Sequence, residues 1–227
     1  MRFSCSILAL LLLSACSQNI PQQSDPAVSK AEGNLKSADG SEGEIQTVSA
    51  TSSENVYQVK FETTKGDFIV EVTRDLAPIG ADRFRELVEV KFFDGCRFFR
   101  VLPGFVAQVG MNGDPATHKK WSSKNLKDEP VKASNSRGTL TFAKTQLPNT
   151  RSTQLFINYG NNKNLDRMGF SPFGKVIKGM EVVDSFYSGY GERPDQGRIK
   201  SSGNDYLKEK FPKLDYIKKA TILKKVP

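Results

Sequence analysis

Hydrophobic and polar positions alternate strictly over residues 57–62. Tyr57, Val59 and Phe61 fall on one side, and Gln58, Lys60 and Glu62 on the other, the pattern of a half-buried strand. A Thr64-Lys65-Gly66-Asp67 turn follows, and Phe68, Val70 and Val72 then alternate again, so the two segments predict a hairpin. Ala77-Pro78 opens a first helix with proline in its first turn, and Phe84, Leu87 and Val88 form its apolar stripe. Further strands are expected over residues 97–102, 106–109, 139–143, 155–159, 173–176 and 220–223. A second helix is expected over 179–187 and a short helical turn over 206–211. Residues 112–136 are polar and irregular, and read as a long surface loop. Many short strands and two substantial helices predict a closed β-barrel, which removes sheet edges, with helices covering its ends.

The pattern breaks down before Val56. Arg2 precedes an apolar run from Ile7 to Leu13, too short to cross a bilayer and laid out like a secretory signal peptide. Leu13-Ser14-Ala15-Cys16 closes the run and resembles the bacterial lipobox, in which the signal is cut before a cysteine that is then acylated. More than one acyl chain gives stable anchoring. Residues 17–55 are rich in Ser, Gln, Glu, Gly and Ala and lack aromatic residues, the composition of a flexible tether. Such a coil spans about 35 Å on average. The expected organisation is a signal peptide over 1–15, a lipidated Cys16 with a linker to residue 55, and one folded domain over 56–227.

Cysteine usage fits that division. Cys5 lies in the signal and Cys16 at the anchor, which leaves Cys96 alone in the body with no partner for an internal disulfide. It reads as a small packed residue beside the Asp94-Gly95 turn. The net charge of +8 comes from 33 basic and 25 acidic residues, with the lysines dispersed. This is a solvated basic surface without a nucleic-acid motif.

The common catalytic templates are missing. His118, the one histidine, lies in the polar stretch with no serine and acid placed to make a triad, and reads as an exposed loop residue. Asp128 and Glu129 are neighbours, the usual arrangement of surface charge. No His/Cys cluster has metal-ligand spacing, so no metal or cofactor is expected. What stands out is Phe98 to Gly110, FFRVLPGFVAQVG, which puts Arg100 on an apolar strand, a Pro103-Gly104 turn, and Phe105, Val106 and Gln108 after it. A lone arginine there is usually an edge residue or half of a structural ion pair. In residues 154–159, Leu155, Ile157 and Tyr159 share one face, and Gln154, Phe156 and Asn158 the other. With leucine and isoleucine inward, Phe156 and Gln154 face out, where they and Arg100 could edge a shallow apolar site.

FFRVLPGFVAQVG, GTLTFAKTQLPNTRSTQLFIN and LDRMGFSPFGKVIKGMEVVD, in that order, are similar to the cyclophilin-type peptidyl-prolyl cis–trans isomerases. The resemblance implies an eight-stranded antiparallel β-barrel capped by two α-helices. It also implies catalysis of X–Pro bond rotation. Arg100 would donate to the prolyl nitrogen in the twisted state, and Gln108 would hold the substrate carbonyl side and orient Arg100. Phe105, Val106, Phe156 and Leu165 match the proline-ring pocket. Ala143, Lys144 and Gln154 match the groove for residues before the proline, Lys144 through its backbone. Val106 stands where many relatives have methionine, and Asn164 precedes Leu165 where some have tryptophan. Residues 167–172 lack the histidine that several members carry. The insertion over 194–215 resembles a bacterial subset and has no assigned role.

The expected protein is a monomeric prolyl isomerase, lipid-anchored in the bacterial cell envelope, acting on proline-containing polypeptides and not on nucleic acid. The competing reading is a binding module or chaperone that uses the same groove without needing turnover. A retained Arg100 favours the enzyme, because binding alone requires no donor at the nitrogen. A hydrolase built on His118 lacks partners.

Overall fold

The computed structural model describes residues 55–223. The signal segment, Cys16 and the linker through residue 54 lie outside the described residues, as do residues 224–227.

β1 (Val56–Thr63) and β2 (Gly66–Thr73) form the expected hairpin, in register from Val56↔Thr73 to Thr63↔Gly66. Tyr57, Val59, Phe61, Phe68, Val70 and Val72 are all buried. Phe61 stacks on its cross-strand partner Phe68 with centroids 4.8 Å apart. The other strands are β3 (Arg100–Leu102), β4 (Val106–Val109), β5 (Thr139–Phe142), β6 (Leu155–Asn158), β7 (Pro172–Lys178) and β8 (Ile217–Leu223). They make one eight-stranded antiparallel sheet in the order β3-β4-β6-β5-β7-β2-β1-β8. α1 (Pro78–Glu89) lays Ala81, Phe84, Leu87 and Val88 on this sheet. Phe84 meets Phe173 at 5.3 Å and Phe93 at 5.6 Å. Burying one phenylalanine fully contributes roughly 1.5–3 kcal/mol, so this aromatic cluster dominates the core. Cys96 is packed within it, as its sequence context suggests.

The expected closure is not complete. β3 has three residues and makes no ladder with β8, so as a strand array the sheet is open. The chain just before these strands bridges the gap through Arg97↔Tyr216, with Phe98 N donating to Asp215 O at 2.9 Å and Ile217 N to Cys96 O at 3.0 Å.

The helices also differ from expectation. α2 (Pro115–Ser122) lies inside the supposed loop. Asp114 caps it, accepting from Thr117 N at 2.9 Å, and Pro115 opens it. His118 and Trp121, three residues apart, are its buried side. α3 (Lys163–Arg167) is short, and α4 (Met180–Asp184) ends before the expected 187. α5 (Gln196–Lys210) runs over 15 residues with a kink, where only one turn was expected. Gly203 interrupts it at φ 53° and lies so close to Gly113 that an added Cβ would fall 2.0 Å from the Gly113 carbonyl oxygen. The insertion therefore has a structural role: it builds a second small core from Phe99, Met111, Ile199, Tyr206, Leu207 and Leu214.

Candidate active site

Arg100, Gln108 and Phe156 are cross-strand partners in one row through β3, β4 and β6. Partners across a ladder project to the same side of a sheet. Their chain neighbours Val101, Ala107, Leu155 and Ile157 all enter the main core, so this row faces away from it. The outward placing of Phe156 is thus as expected.

A polar line runs along the row. Arg100 Nη1 donates to Gln108 Oε1 at 3.3 Å, and Gln108 Nε2 to Gln154 Oε1 at 2.8 Å. Gln154 is held by its backbone, since its carbonyl accepts from Ala143 N at 2.8 Å. Beside this line lies a cavity of about 130 Å³. Drug-sized sites are larger, about 300–1,000 Å³, so this one suits a single small apolar group. Val106, Phe156 and Leu165 are buried in it, with Phe105, Ala143 and Phe170 packed against them. Arg100 and Lys144 also line it, and the Arg100 guanidinium carbon is 5.5 Å from the Phe105 ring centroid. The structure thus brings together all nine expected pocket and groove residues. Eight line the cavity, and Gln154 reaches it through Gln108.

Buried amides fix the walls. Asn162 Nδ2 donates to the Phe105 carbonyl at 2.9 Å and to Asn158 Oδ1 at 2.7 Å. Asn135 Nδ2 donates to Asp166 Oδ1 at 2.8 Å and to the Phe170 carbonyl at 2.9 Å, which ties α3 to the segment that follows it. Burial alone would raise the Asp166 carboxyl, but donors from Ser134 and Asn135 outweigh it and hold the group below the usual carboxylate range.

Phe170 and Glu192 escaped sequence reading. Phe170 lies in the segment that lacks the family histidine and meets Phe156 edge-on at 5.7 Å. Lys144 brings its side chain to the site: Nζ lies 5.7 Å from the Phe170 centroid and 3.6 Å from Asp128 Oδ2. Glu192 Oε1 accepts from Arg100 Nε at 2.6 Å and stands 2.5 Å from Nη2. Neither was signalled by periodicity, since both lie in irregular segments.

None of the nine lining residues is a carboxylate, thiol or imidazole. His118 is buried on α2 rather than exposed, with no hydrogen-bond partner on either ring nitrogen. Cys96 is fully buried; burial pushes its thiol well up, and Sγ donates to Phe92 O at 3.4 Å. A larger cleft of about 240 Å³ between Val101, Tyr159 and Phe186 holds the self-satisfied Arg137–Asp184 pair and none of the nine residues that line the smaller cavity. The arrangement can therefore present a fixed cationic donor to an apolar group, which is the chemistry of polarisation without proton transfer.

The family model described as cyclophilin type peptidyl-prolyl cis-trans isomerase/CLD matches residues 58–204. A peptidyl-prolyl cis-trans isomerase of Acinetobacter baylyi is 37% identical over 131 residues, 56% of this chain and 69% of that protein. A probable peptidyl-prolyl cis-trans isomerase of Brucella abortus is 32% identical over 169 residues, 70% of this chain and 84% of the relative. Among solved structures, a cyclophilin type isomerase of Cryptosporidium parvum superposes with a TM-score of 0.58 at 23% identity, covering 75% of this chain and 99% of that one, a likeness of fold. The chain belongs to the cyclophilin-type peptidyl-prolyl cis–trans isomerases and carries that enzyme activity.

Proposed function

We propose that Arg100 is the catalytic donor of this isomerase and that the cavity beside it holds the proline ring of a polypeptide substrate. Rotation about X–Pro faces a barrier of about 18–20 kcal/mol, because the nitrogen lone pair is delocalised into the carbonyl. In the twisted state the lone pair returns to nitrogen and becomes an acceptor. A guanidinium N–H aimed at it stabilises that state more than either planar one, which is what lowers a barrier. No nucleophile or base is required. The observation that carries this reading is the hydrogen-bonded row Arg100–Gln108–Gln154 beside the apolar walls Val106, Phe156 and Leu165. Gln108 orients the guanidinium and binds the substrate carbonyl. Ala143, Lys144 and Gln154 edge the groove for residues before the proline. A related Cryptosporidium parvum cyclophilin was solved in the presence of the dipeptide Ala-Pro, which supports a proline-containing substrate here.

The same proposal places the enzyme, as a monomer, on a membrane of the bacterial envelope through an acylated Cys16, where it assists folding of exported proteins. The support is the apolar run 7–13 ending at Ser14-Ala15-Cys16. Mass spectrometry of the mature N-terminus should find a diacylated or triacylated Cys16; an unmodified terminus elsewhere would refute it.

The decisive test of the mechanism is NMR exchange of an X–Pro peptide. Arg100→Ala should lower catalysed exchange about 10²–10³-fold, the usual cost of removing a preplaced transition-state donor, with the fold intact. Unchanged exchange would sink the mechanism.

A further inference from the structure

The insertion that sequence comparison left without a role touches the reactive arginine from two directions. Its small core encloses Phe99, the residue before Arg100. The turn just before the insertion brings Glu192 onto the Arg100 side chain. Phe99 packs into this small core and not into the main core, which takes Phe98 and Val101 on either side of the Phe99-Arg100 pair. The insertion and the turn before it therefore hold Arg100 through its chain neighbour Phe99 and through its guanidinium.

The turn that carries Glu192 is itself anchored. Gly191 N donates to Ser188 O at 2.9 Å, and Arg193 N to Tyr190 O at 3.0 Å. The Tyr190 ring packs edge-on against Phe211 at 5.1 Å, within the insertion core. Gly191 adopts φ 54°, a left-handed conformation that glycine takes without strain. The Glu192 side chain is 63% exposed, so burial does not account for its position. Its one close ionic partner is Arg100 among the ion pairs of the described residues.

A guanidinium has five N–H groups in a rigid plane. Glu192 takes the edge formed by Nε and Nη2, and Gln108 takes one N–H of Nη1. One N–H on each terminal nitrogen is left over. Two acceptors at different edges fix both the position and the rotation of the plane, which neither would do alone.

We propose that Glu192 is a positioning residue of the isomerase: by holding the Nε edge of Arg100, it aims the remaining N–H groups at the proline cavity. This rests on Arg100 being the donor. An arginine tethered only by Gln108 would sample other rotamers and spend less time in the productive one, so the loss should fall on turnover rather than on peptide affinity.

The test uses the whole chain and one X–Pro peptide, with exchange and binding both read by NMR. Glu192→Ala should lower kcat/KM about five- to tenfold while the peptide Kd changes less than about twofold. Glu192→Gln keeps an oxygen acceptor for Nε and should recover a large part of the loss. The Arg100 Nε–Hε correlation should shift and broaden in Glu192→Ala and return towards its wild-type position in Glu192→Gln. Thermal unfolding of both variants verifies that the fold is kept. A Glu192→Ala rate equal to wild type, with Arg100→Ala inactive, would overturn the positioning role alone. A faster Glu192→Ala would overturn it too, showing that the carboxylate competes with substrate. A fully active Arg100→Ala would remove the donor role and this inference together.

Discussion

Two arginine–glutamate pairs in this molecule have opposite settings. The Arg151 side chain is 1% exposed and its Nη1 donates to Glu129 Oε2 at 2.8 Å; the Glu129 side chain is 5% exposed. Arg100 is 24% exposed, and its Glu192 partner 63%. Glu129 also accepts from Ile79 N at 2.6 Å and Gly80 N at 3.0 Å, which satisfies the N-terminus of α1 and places negative charge at the positive end of the helix dipole. Ser171 Oγ donates to the Glu129 carbonyl at 2.7 Å, and Arg151 reaches the Lys127 carbonyl. The inner pair ties α1, the 126–131 segment and the approach to β7 together. The outer pair joins only the exposed turn at Glu192 to β3, at the edge of a cavity that Arg100 lines. The difference lies in what surrounds the remaining donors: scaffold at Arg151, the lining of a cavity at Arg100.

That contrast breaks most easily at Glu129. Glu129→Ala leaves a buried guanidinium and two helix N–H groups without their acceptor, and should cost about 3–5 kcal/mol of unfolding free energy in urea titration. The kcat/KM of molecules that remain folded should stay at the wild-type value. Replacing both partners, Glu129→Leu with Arg151→Met, removes the stranded charge but not the uncapped helix, so a deficit of about 1 kcal/mol should persist. A large loss of activity in folded Glu129→Ala would show that the inner pair also serves the site.

Arg100→Lys sharpens the other half. Charge is retained, but a single ammonium cannot hold the Glu192 and Gln108 edges and still present a directed donor. Catalysed exchange should fall about tenfold or more, while unfolding free energy moves by less than about 1 kcal/mol, the scale of an exposed pair. A stability loss as large as that of Glu129→Ala would erase the distinction.

The two pairs were not equally legible in the sequence. Arg100 by itself reads as an edge residue; it is the resemblance of FFRVLPGFVAQVG and the two later motifs to the cyclophilin family that joins it to Gln108, Phe105 and Phe156. Glu129 was read as surface charge because its partners are distant: Arg151 is 22 residues away, and the Ile79 and Gly80 amides 50 and 49. Neighbouring acids in a polar stretch carry no local sign of burial. The β1–β2 hairpin was legible for the opposite reason, since its pairing is local and its period strict. The pattern does not reveal α2 and reduces α5 to one turn over 206–211, although Asp114-Pro115 and Asp195 are ordinary caps. Their apolar faces are narrow, and Gly203 breaks the period of α5 midway. Glu192 was invisible because only the tertiary fold of the insertion brings it to Arg100.

His118 gives the smallest effect and a separate check on burial without a partner. Its side chain is enclosed, neither ring nitrogen has a hydrogen bond, and it belongs to α2, which packs on α5. Burial, with the Lys200 charge adding to it, lowers its pKa below the ordinary value of 6.5. The folded chain therefore binds fewer protons here than the unfolded chain at mildly acidic pH. Stability from this group is complete above the unfolded pKa and falls as pH drops below about 6.5, with a slope of no more than about 1.4 kcal/mol per pH unit. His118→Phe, which fills the site without a titrating group, should flatten that part of the stability profile and leave kcat/KM unchanged. Urea titrations of both proteins between about pH 7 and pH 5 would show it. An identical slope in the variant would mean that other groups, the carboxylates above all, set the acid limb. A steeper wild-type slope assigns that part of it to an imidazole that must break into its own packing to become charged.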